Sequence, residues 1–221
     1  MAFDWPNLDQ LRPKLRRFAA YGADRTYREF REATAPSVDL ARREHRERLL
    51  GWLNQWGCRI RYPLPGEHDP FDENIARWWS AWSSALPPTG VALARLTDRQ
   101  LDALGRAFDA LSGTVVVTDG PGRSLGPTAA AKTLFALRPR AVTPWDRNIA
   151  RTLYGGTSAA HFHQHLLDAR RCARAILSET PLSERSLAKD LRRDGMTLAK
   201  LLDEYWYVTI VRDGERQPPV A

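Results

Sequence analysis

Apolar residues recur at helical spacing along almost the whole chain, in segments separated by proline and glycine. Segments that alternate apolar and polar residues, which would indicate half-buried strands, are few. We therefore predict an all-α, two-lobed fold with one short strand or an extended tail segment. Hydrophobic residues make up 43% of the 221 positions. This content supports a sizeable core and excludes a disordered or collagen-like chain.

Periodic apolar stripes and end signals define the predicted helices. Residues Thr97 to Gln100 have the form of a capping box, and the helix that they open is expected to end near Ser112 and Gly113. The other predicted helices cover residues 8–20, 39–56, 72–84, 128–137, 145–153 and 158–177, with one or two more in 181–202. Residues 114–118 are expected to form an extended loop or an isolated strand, followed by a turn at Gly120, Pro121 and Gly122. The tail, 205–211, is expected to be a strand or an extended segment.

The chain is predicted to be a single compact, monomeric unit over residues 1–221. One lobe is expected from residues 1–96 plus 178–221, and the other from residues 97–177. No run of eighteen apolar residues is present, which argues against a membrane partner, and no apolar signal region follows a basic start, so we expect a cytoplasmic protein. Cys58 and Cys172 lie far apart without CxxC spacing, which indicates reduced structural thiols.

Positive charge is concentrated in one segment. Of the net charge of +7, residues 121–160 carry +5, from six Lys or Arg residues and a single acid, Asp146. Gly126 lies in a tight turn directly before an Ala-rich helix, where backbone N–H groups can approach an anion. A hairpin that joins two helices in this way binds the DNA backbone without sequence preference. The predicted phosphate-binding residues are Arg123, Ser124, Gly126, Pro127, Thr128 and Arg147.

Within this segment, residues 125–129 read L-G-P-T-A, and Pro144, Trp145 and Asp146 follow further along. Residues 105–155 thereby resemble the helix-hairpin-helix superfamily of DNA base-excision glycosylases, whose hairpin L-P-G-V-G-x-x-x-A precedes a Pro-x-Asp at a helix start. Ser124 stands where the first hairpin glycine is expected. The resemblance implies that Asp146 is the catalytic carboxylate. Bifunctional members have a lysine where this chain has Thr128, so the resemblance implies base excision without the β-lyase step.

The chemistry of N-glycosidic cleavage makes the same assignment independently. The sugar becomes oxocarbenium-like in the transition state, so a carboxylate near C1′ is needed to stabilise positive charge or to activate water. Asp146 is the sole acid of the basic segment, although Asp is also a preferred N-cap residue, and the two roles are compatible. Lys132 lies one helical turn beyond Thr128. It fits a phosphate contact, a Schiff-base nucleophile that replaces the missing lysine, or an ordinary exposed lysine.

Aromatic and histidine clusters leave further alternatives open. Trp145 either stacks on a flipped base or walls its pocket, or it packs in the core. A tryptophan stripe at helical spacing, namely Trp78, Trp79 and Trp82, fits a base pocket, a wedge in the duplex or a packing face of the core. His161 and His165 share a helix face, His163 points away from it, and no third ligand is evident nearby, so we expect no metal and no cofactor.

These observations together predict a monofunctional DNA N-glycosylase that hydrolyses the glycosidic bond of a modified base. Its partner would be DNA, bound mainly through the phosphate backbone. One alternative is a non-catalytic helix-hairpin-helix protein that binds DNA in a repair or defence complex. Another is an N-glycosidase that acts on a free nucleoside, a nucleotide or RNA. The sequence does not identify a residue that would fill the gap left by a flipped base.

Overall fold

Helices form most of the structure. The computed structural model describes residues 6–21, 24–118 and 122–214. Within these ranges the α-helices are α1 (Leu8–Ala19), α2 (Asp24–Ala33), α3 (Arg43–Gln55), α4 (Pro70–Trp82), α5 (Asp98–Ser112), α6 (Gly126–Leu137), α7 (Arg147–Tyr154), α8 (Ala159–Ser178), α9 (Glu184–Asp190) and α10 (Leu198–Trp206). Short 3₁₀ turns lie at Ser83–Ala85 and Leu93–Arg95. The prediction of an all-α fold is confirmed.

Side-chain caps fix several helix starts where the sequence placed them. The Thr97 hydroxyl accepts a hydrogen bond from the Gln100 N–H at 3.3 Å, and the Gln100 side chain accepts one from the Thr97 N–H at 3.0 Å. The helix that follows, α5, ends at Ser112, as predicted. Ser158 caps α8 in the same reciprocal way with His161. These caps satisfy N–H groups that have no partner inside the helix.

The valine-rich segment after α5 is a strand with a partner, so the prediction of an isolated strand or loop is corrected. Strand β1 (Val115–Val117) pairs antiparallel with β2 (Arg123–Ser124), and Val115 lies opposite Ser124. Pairing satisfies backbone groups that an isolated strand would leave without partners. The turn predicted at Gly120 and Pro121 lies outside the described residues, and Gly122 adopts a φ of +70°.

The prediction of an extended tail is wrong, because the chain from α10 onwards stays helical. A π-helical segment, Tyr207–Arg212, continues α10 directly. The buried residues between 201 and 211 are Leu201, Leu202, Glu204, Tyr205, Trp206, Val208, Thr209 and Ile210. They lie on nearly all sides of the segment, as expected for a helix in the interior of the protein. This shared burial outweighs the strand propensity of the β-branched residues 208–211.

Two boundaries near the amino terminus also differ from the prediction. Helix α2 was not predicted, because only Tyr27 and Phe30 give its charged sequence a buried face. Helix α3 begins at Arg43 rather than at residue 39. The carboxylate of Asp39 accepts the N–H of Ala41 at 3.0 Å, and such local side-chain bonds favour a turn over a helix.

The buried residues form one contiguous hydrophobic cluster that extends from Leu11 to Ile210. Helix α5 packs against both α6 and α8. The small residues at positions 129–131 are buried, as expected for close packing between α5 and α6. The cluster includes residues of both predicted lobes, so burial does not mark a boundary between them. The two-lobe division stays a prediction. Among the described helices, none combines the length and apolar character needed to cross a bilayer.

Candidate active site

Two adjoining cavities meet at Asp146. The first, which we call the aromatic cavity, has a volume of about 650 Å³. The residues that line it include Phe18, Tyr21, Trp56, Lys132, Trp145, Asp146, Lys200, Asp203 and Tyr207. The second, which we call the hairpin cavity, has a volume of about 830 Å³. The residues that line it include Arg59, Arg123, Gly126, Thr128, Lys132, Asp146 and Arg147. Trp56, Gly57, Lys132 and Asp146 line both cavities. Both volumes lie within the range of roughly 300–1,000 Å³ that is typical of ligand sites.

Asp146 is the N-cap of α7 and remains partly exposed. Its Oδ1 accepts the N–H of Ile149 at 2.9 Å, so the predicted capping role is present. The cap fixes the direction of the carboxylate, and Asp146 still lines both cavities. The N-terminus of α7 favours a negative charge at this position. The local fold thus holds a carboxylate at the junction of the two cavities.

Trp145 supports Asp146 from the core. Its side chain is only 1% exposed, and it packs edge-on against Phe108 and Phe162, with ring centroids 5.9 Å and 5.3 Å away. Part of the residue still lines the aromatic cavity. Trp145 therefore packs in the core and at the same time forms part of the cavity wall.

His165 lies behind Trp145 and is fully buried, with ring centroids 5.3 Å apart. Burial lowers the pKa of His165 to about 3, although the backbone carbonyls of Thr143 and Pro144 oppose this shift. The imidazole is therefore neutral in the native protein at neutral pH. Neutral His165 forms part of the packing that holds the segment before Asp146.

This burial predicts acid sensitivity. The unfolded chain takes up a proton on His165 near pH 6.5, whereas the native protein does so only near pH 3. The stability that neutral His165 contributes is thus complete above about pH 6.5 and is lost as the pH falls towards 3. We expect this residue to lower the free energy of unfolding by about 1.4 kcal/mol per pH unit below pH 6.

Urea titrations between pH 4 and pH 8 measure this effect. His165→Leu should remove that part of the pH dependence. His163→Gln, which alters a partly exposed imidazole bonded to Asp102 at 3.0 Å, should keep it. An unchanged pH slope in His165→Leu would contradict the assignment.

Lys132 faces the site rather than open solvent. Its Nζ donates to the carbonyl of Trp56 at 2.6 Å and lies 5.6 Å from the centroid of the Trp56 ring. The residue lines both cavities. Lys132 is therefore placed beside Asp146, where it joins α6 to the segment that follows α3.

Sequence reasoning missed two charged residues on α10, Lys200 and Asp203. Their side chains form an ion pair at 2.6 Å, and Lys200 Nζ lies 5.3 Å from the centroid of the Trp56 ring. Burial raises the pKa of Asp203, the ammonium of Lys200 opposes this shift, and the negative charge of Asp146 adds to it. The available signal was their spacing of three residues in a helical pattern. The aromatic cavity thus contains a second carboxyl group close enough to Asp146 to interact with it.

The predicted phosphate-binding residues lie together in the hairpin cavity. Gly126 begins α6 with a φ of +78°, which favours glycine. Leu125 at the N-cap makes no side-chain hydrogen bond to the helix. N–H groups of the first turn have no partner inside a helix, so this end of α6 can receive an anion. Exposed Ser124 and Arg147 lie on the same cavity.

Arg123 lines the hairpin cavity, as predicted for a phosphate-binding residue, and it also makes contacts that the sequence did not predict. Its two terminal nitrogens donate to the carbonyls of Arg59 at 2.9 Å and of Cys58 at 3.2 Å. This guanidinium therefore holds another segment against the hairpin. Arg59, which the sequence did not single out because no motif surrounds it, contributes an exposed cation to the cavity.

The tryptophan stripe on α4 lies outside both cavities, so the structure supports the packing alternative for it and not the base pocket. Trp78 is buried and donates to the carbonyl of Ala107 at 3.2 Å. Trp79 donates to Asp39 at 3.1 Å, and Trp82 packs against the core. None of the three lines either cavity. The helical spacing of the stripe reflects the buried face of α4.

The histidines of α8 have separate surroundings. His161 takes part in the cap with Ser158, with its Nδ1 lying 2.8 Å from the Ser158 hydroxyl. His163 is bonded to Asp102, and His165 is buried near Trp145. Within the described ranges, no group of three or more His, Cys, Asp or Glu side chains has the arrangement of a metal site.

In comparisons with known proteins, no family model, curated protein or solved structure matches this chain. The carboxylate, the two cavities and the charges around them are therefore the features from which a function is inferred.

Proposed function

We propose that the protein is a monofunctional DNA N-glycosylase that hydrolyses the bond between deoxyribose and a modified base. One observation carries the proposal. A partly exposed carboxylate, Asp146, lies between a cavity with aromatic walls and a cavity with an open helix N-terminus and exposed cations. This arrangement offers separate places for a base, a reacting sugar and a phosphate.

In the proposed reaction, Asp146 faces C1′ of the extruded nucleotide. As the bond to the base breaks, its electron pair leaves with the base, and the sugar gains positive charge that the carboxylate stabilises. A water molecule adds to C1′, and the proton that it loses is transferred to the departing base anion, which leaves as the neutral base. The cap that fixes Asp146 holds the carboxylate in place before the reaction begins.

The hairpin cavity suits the DNA backbone. Thr128 and Gly126 present the first turn of α6, and Arg147 supplies an exposed charge near Asp146. Amides at a helix start and arginine side chains are common phosphate ligands. Phosphate bound here would place the adjacent sugar next to Asp146.

The aromatic cavity suits the extruded base. Trp56 and Tyr207 provide rings that can stack on a base, and Asp203 and Lys200 provide polar groups within reach of its edge. Enzymes that act on a base in DNA extrude it into a pocket with stacking walls and a few polar contacts. This cavity replaces the α4 tryptophans as the proposed base pocket.

A panel of duplexes that contain alkylated, oxidised or deaminated bases tests the proposal. Base release is detected as strand cleavage at the abasic site after heating in alkali. We expect strand cleavage in at least one of these duplexes. Salt-dependent DNA binding without base release favours the non-catalytic alternative. Release from a nucleoside, a nucleotide or RNA alone favours the third alternative.

Lys132 is expected to form no covalent intermediate. Its Nζ is held by the hydrogen bond to the carbonyl of Trp56, which it would have to leave in order to attack C1′. Treatment of a reacting substrate with borohydride should therefore trap no protein–DNA adduct. An adduct that disappears in Lys132→Met would contradict the monofunctional assignment.

A further inference from the structure

Residues 56–60 form a tightly held turn between α3 and the loop that follows it. The Asn54 side chain forms two hydrogen bonds with the backbone of Ile60. Its Oδ1 accepts the Ile60 N–H at 2.6 Å, and its Nδ2 donates to the Ile60 carbonyl at 2.8 Å. Lys132 donates a hydrogen bond to the carbonyl of Trp56. Arg123 donates to the carbonyls of Cys58 and Arg59. Side chains from α3, β2 and α6 thus fix this turn in one conformation.

Arg59, at the tip of the turn, has an unusual backbone. Its φ is +54°, in the left-handed region that side chains other than glycine, asparagine and aspartate rarely adopt. Its side chain is nevertheless exposed on the hairpin cavity. Nothing in the core requires an arginine there, so the cost of this conformation points to a role for the side chain at the cavity.

The position of Arg59 relates it to both cavities. It lines the hairpin cavity together with the first turn of α6, and it is three residues from Trp56, which lines both cavities. In the proposed function the DNA backbone lies along the hairpin cavity, so the gap left by a base that enters the aromatic cavity is on the hairpin side. Arg59 is the exposed cation of the turn that borders this side.

We propose that Arg59 enters the DNA stack and occupies the place of the extruded nucleotide. This inference rests on the proposed function. A guanidinium is planar, stacks on aromatic faces and donates to the acceptor edges of bases. It can therefore stack between the neighbouring base pairs and bond to the unpaired base opposite. The fixed turn holds the side chain ready for this insertion.

The other cations of the cavity have different positions. Arg123 donates to two carbonyls of the turn, and Lys132 donates to a third. Arg147 begins α7 directly after Asp146, which suits a phosphate contact. Arg59 differs from all three because it lies on the turn itself. Hydrogen bonds from neighbouring side chains fix the backbone of that turn.

The test uses a short duplex in which a tetrahydrofuran abasic analogue faces 2-aminopurine, and a fully paired duplex of the same sequence. Wild-type protein should bind the gapped duplex more tightly and change the fluorescence of the 2-aminopurine. Arg59→Ala should weaken binding to the gapped duplex by about tenfold and abolish the fluorescence change. Its affinity for the paired duplex should fall by no more than about threefold, since only one charge is lost.

Two further variants separate this role from folding and from charge. Arg59→Gly relieves the left-handed backbone, so it should unfold at the wild-type temperature or higher while losing the preference for the gap. Arg61→Ala removes the same charge two residues away, at a residue that pairs with Glu67 and lies outside both cavities. Arg61→Ala should keep the preference and the fluorescence change.

The outcomes distinguish this inference from the proposed function. If wild-type protein binds neither duplex, the proposed function fails and the inference fails with it. If wild-type protein binds DNA but Arg59→Ala or Arg59→Gly keeps the preference for the gap, the inference alone is overturned. A wild-type protein without any preference for the gap also overturns it.

Discussion

Asp146→Asn is expected to lower the rate of base excision by about a hundredfold to ten-thousandfold and to leave the protein folded. The amide removes the negative charge that would face the sugar. It keeps the oxygen that caps α7, and Asn is as good an N-cap residue as Asp. Single-turnover excision and urea unfolding, measured on the same preparation, separate the two effects. The free energy of unfolding should change by less than about 0.5 kcal/mol.

Matched variants test whether the carboxylate itself is needed. Asp69→Asn makes the same change at the N-cap of α4, where Asp69 accepts the N–H of Asp72 at 3.0 Å, and it should leave excision unchanged. Asp146→Ala should lose excision and also about 1 kcal/mol of stability, because the cap is lost. Excision by Asp146→Asn at the wild-type rate would show that Asp146 is only a cap.

Glu204→Leu is expected to destabilise the protein by about 3–5 kcal/mol. Glu204 is fully buried and bonds to Arg193 through both oxygens, at 2.9 Å and 2.5 Å. Its Oε1 also lies 3.7 Å from Nζ of buried Lys200. Removing one carboxylate leaves two buried cations with less compensation, and Lys200 belongs to the aromatic cavity. Denaturant unfolding measures the loss.

A double variant and an exposed pair serve as controls. Arg193→Met added to Glu204→Leu should restore part of the stability, because one of the uncompensated charges is then gone. Glu47→Leu breaks the exposed pair with Arg43 and should have a much smaller effect, since solvent screens that pair. If Glu204→Leu were no more destabilising than Glu47→Leu, the buried pair would not support α10 as described.

Local chemistry made much of the fold predictable. The cap at Thr97 and the glycine that ends α7, Gly155, act within a few residues of the chain. The same holds for Asp146, which stands before α7 as the only acid of a basic segment. Signals of this range can be recognised without knowing which helices pack together.

Tertiary packing decided what could not be predicted. The tail after α10 has β-branched residues that favour a strand, yet burial on nearly all sides keeps it helical through Arg212. Lys200 and Asp203 were missed because nothing near them in the sequence indicates that α10 lines the cavity. The α4 tryptophans show the reverse case, where an aromatic stripe proved to be a packing face.

Release of free bases from damaged DNA tests the central claim most directly. Genomic DNA treated with alkylating, oxidising or deaminating agents is incubated with excess protein, and the ethanol-soluble fraction is analysed by mass spectrometry. The account predicts that at least one modified base is released by the wild-type protein and not by Asp146→Asn. Binding of this DNA without release of any base would contradict it.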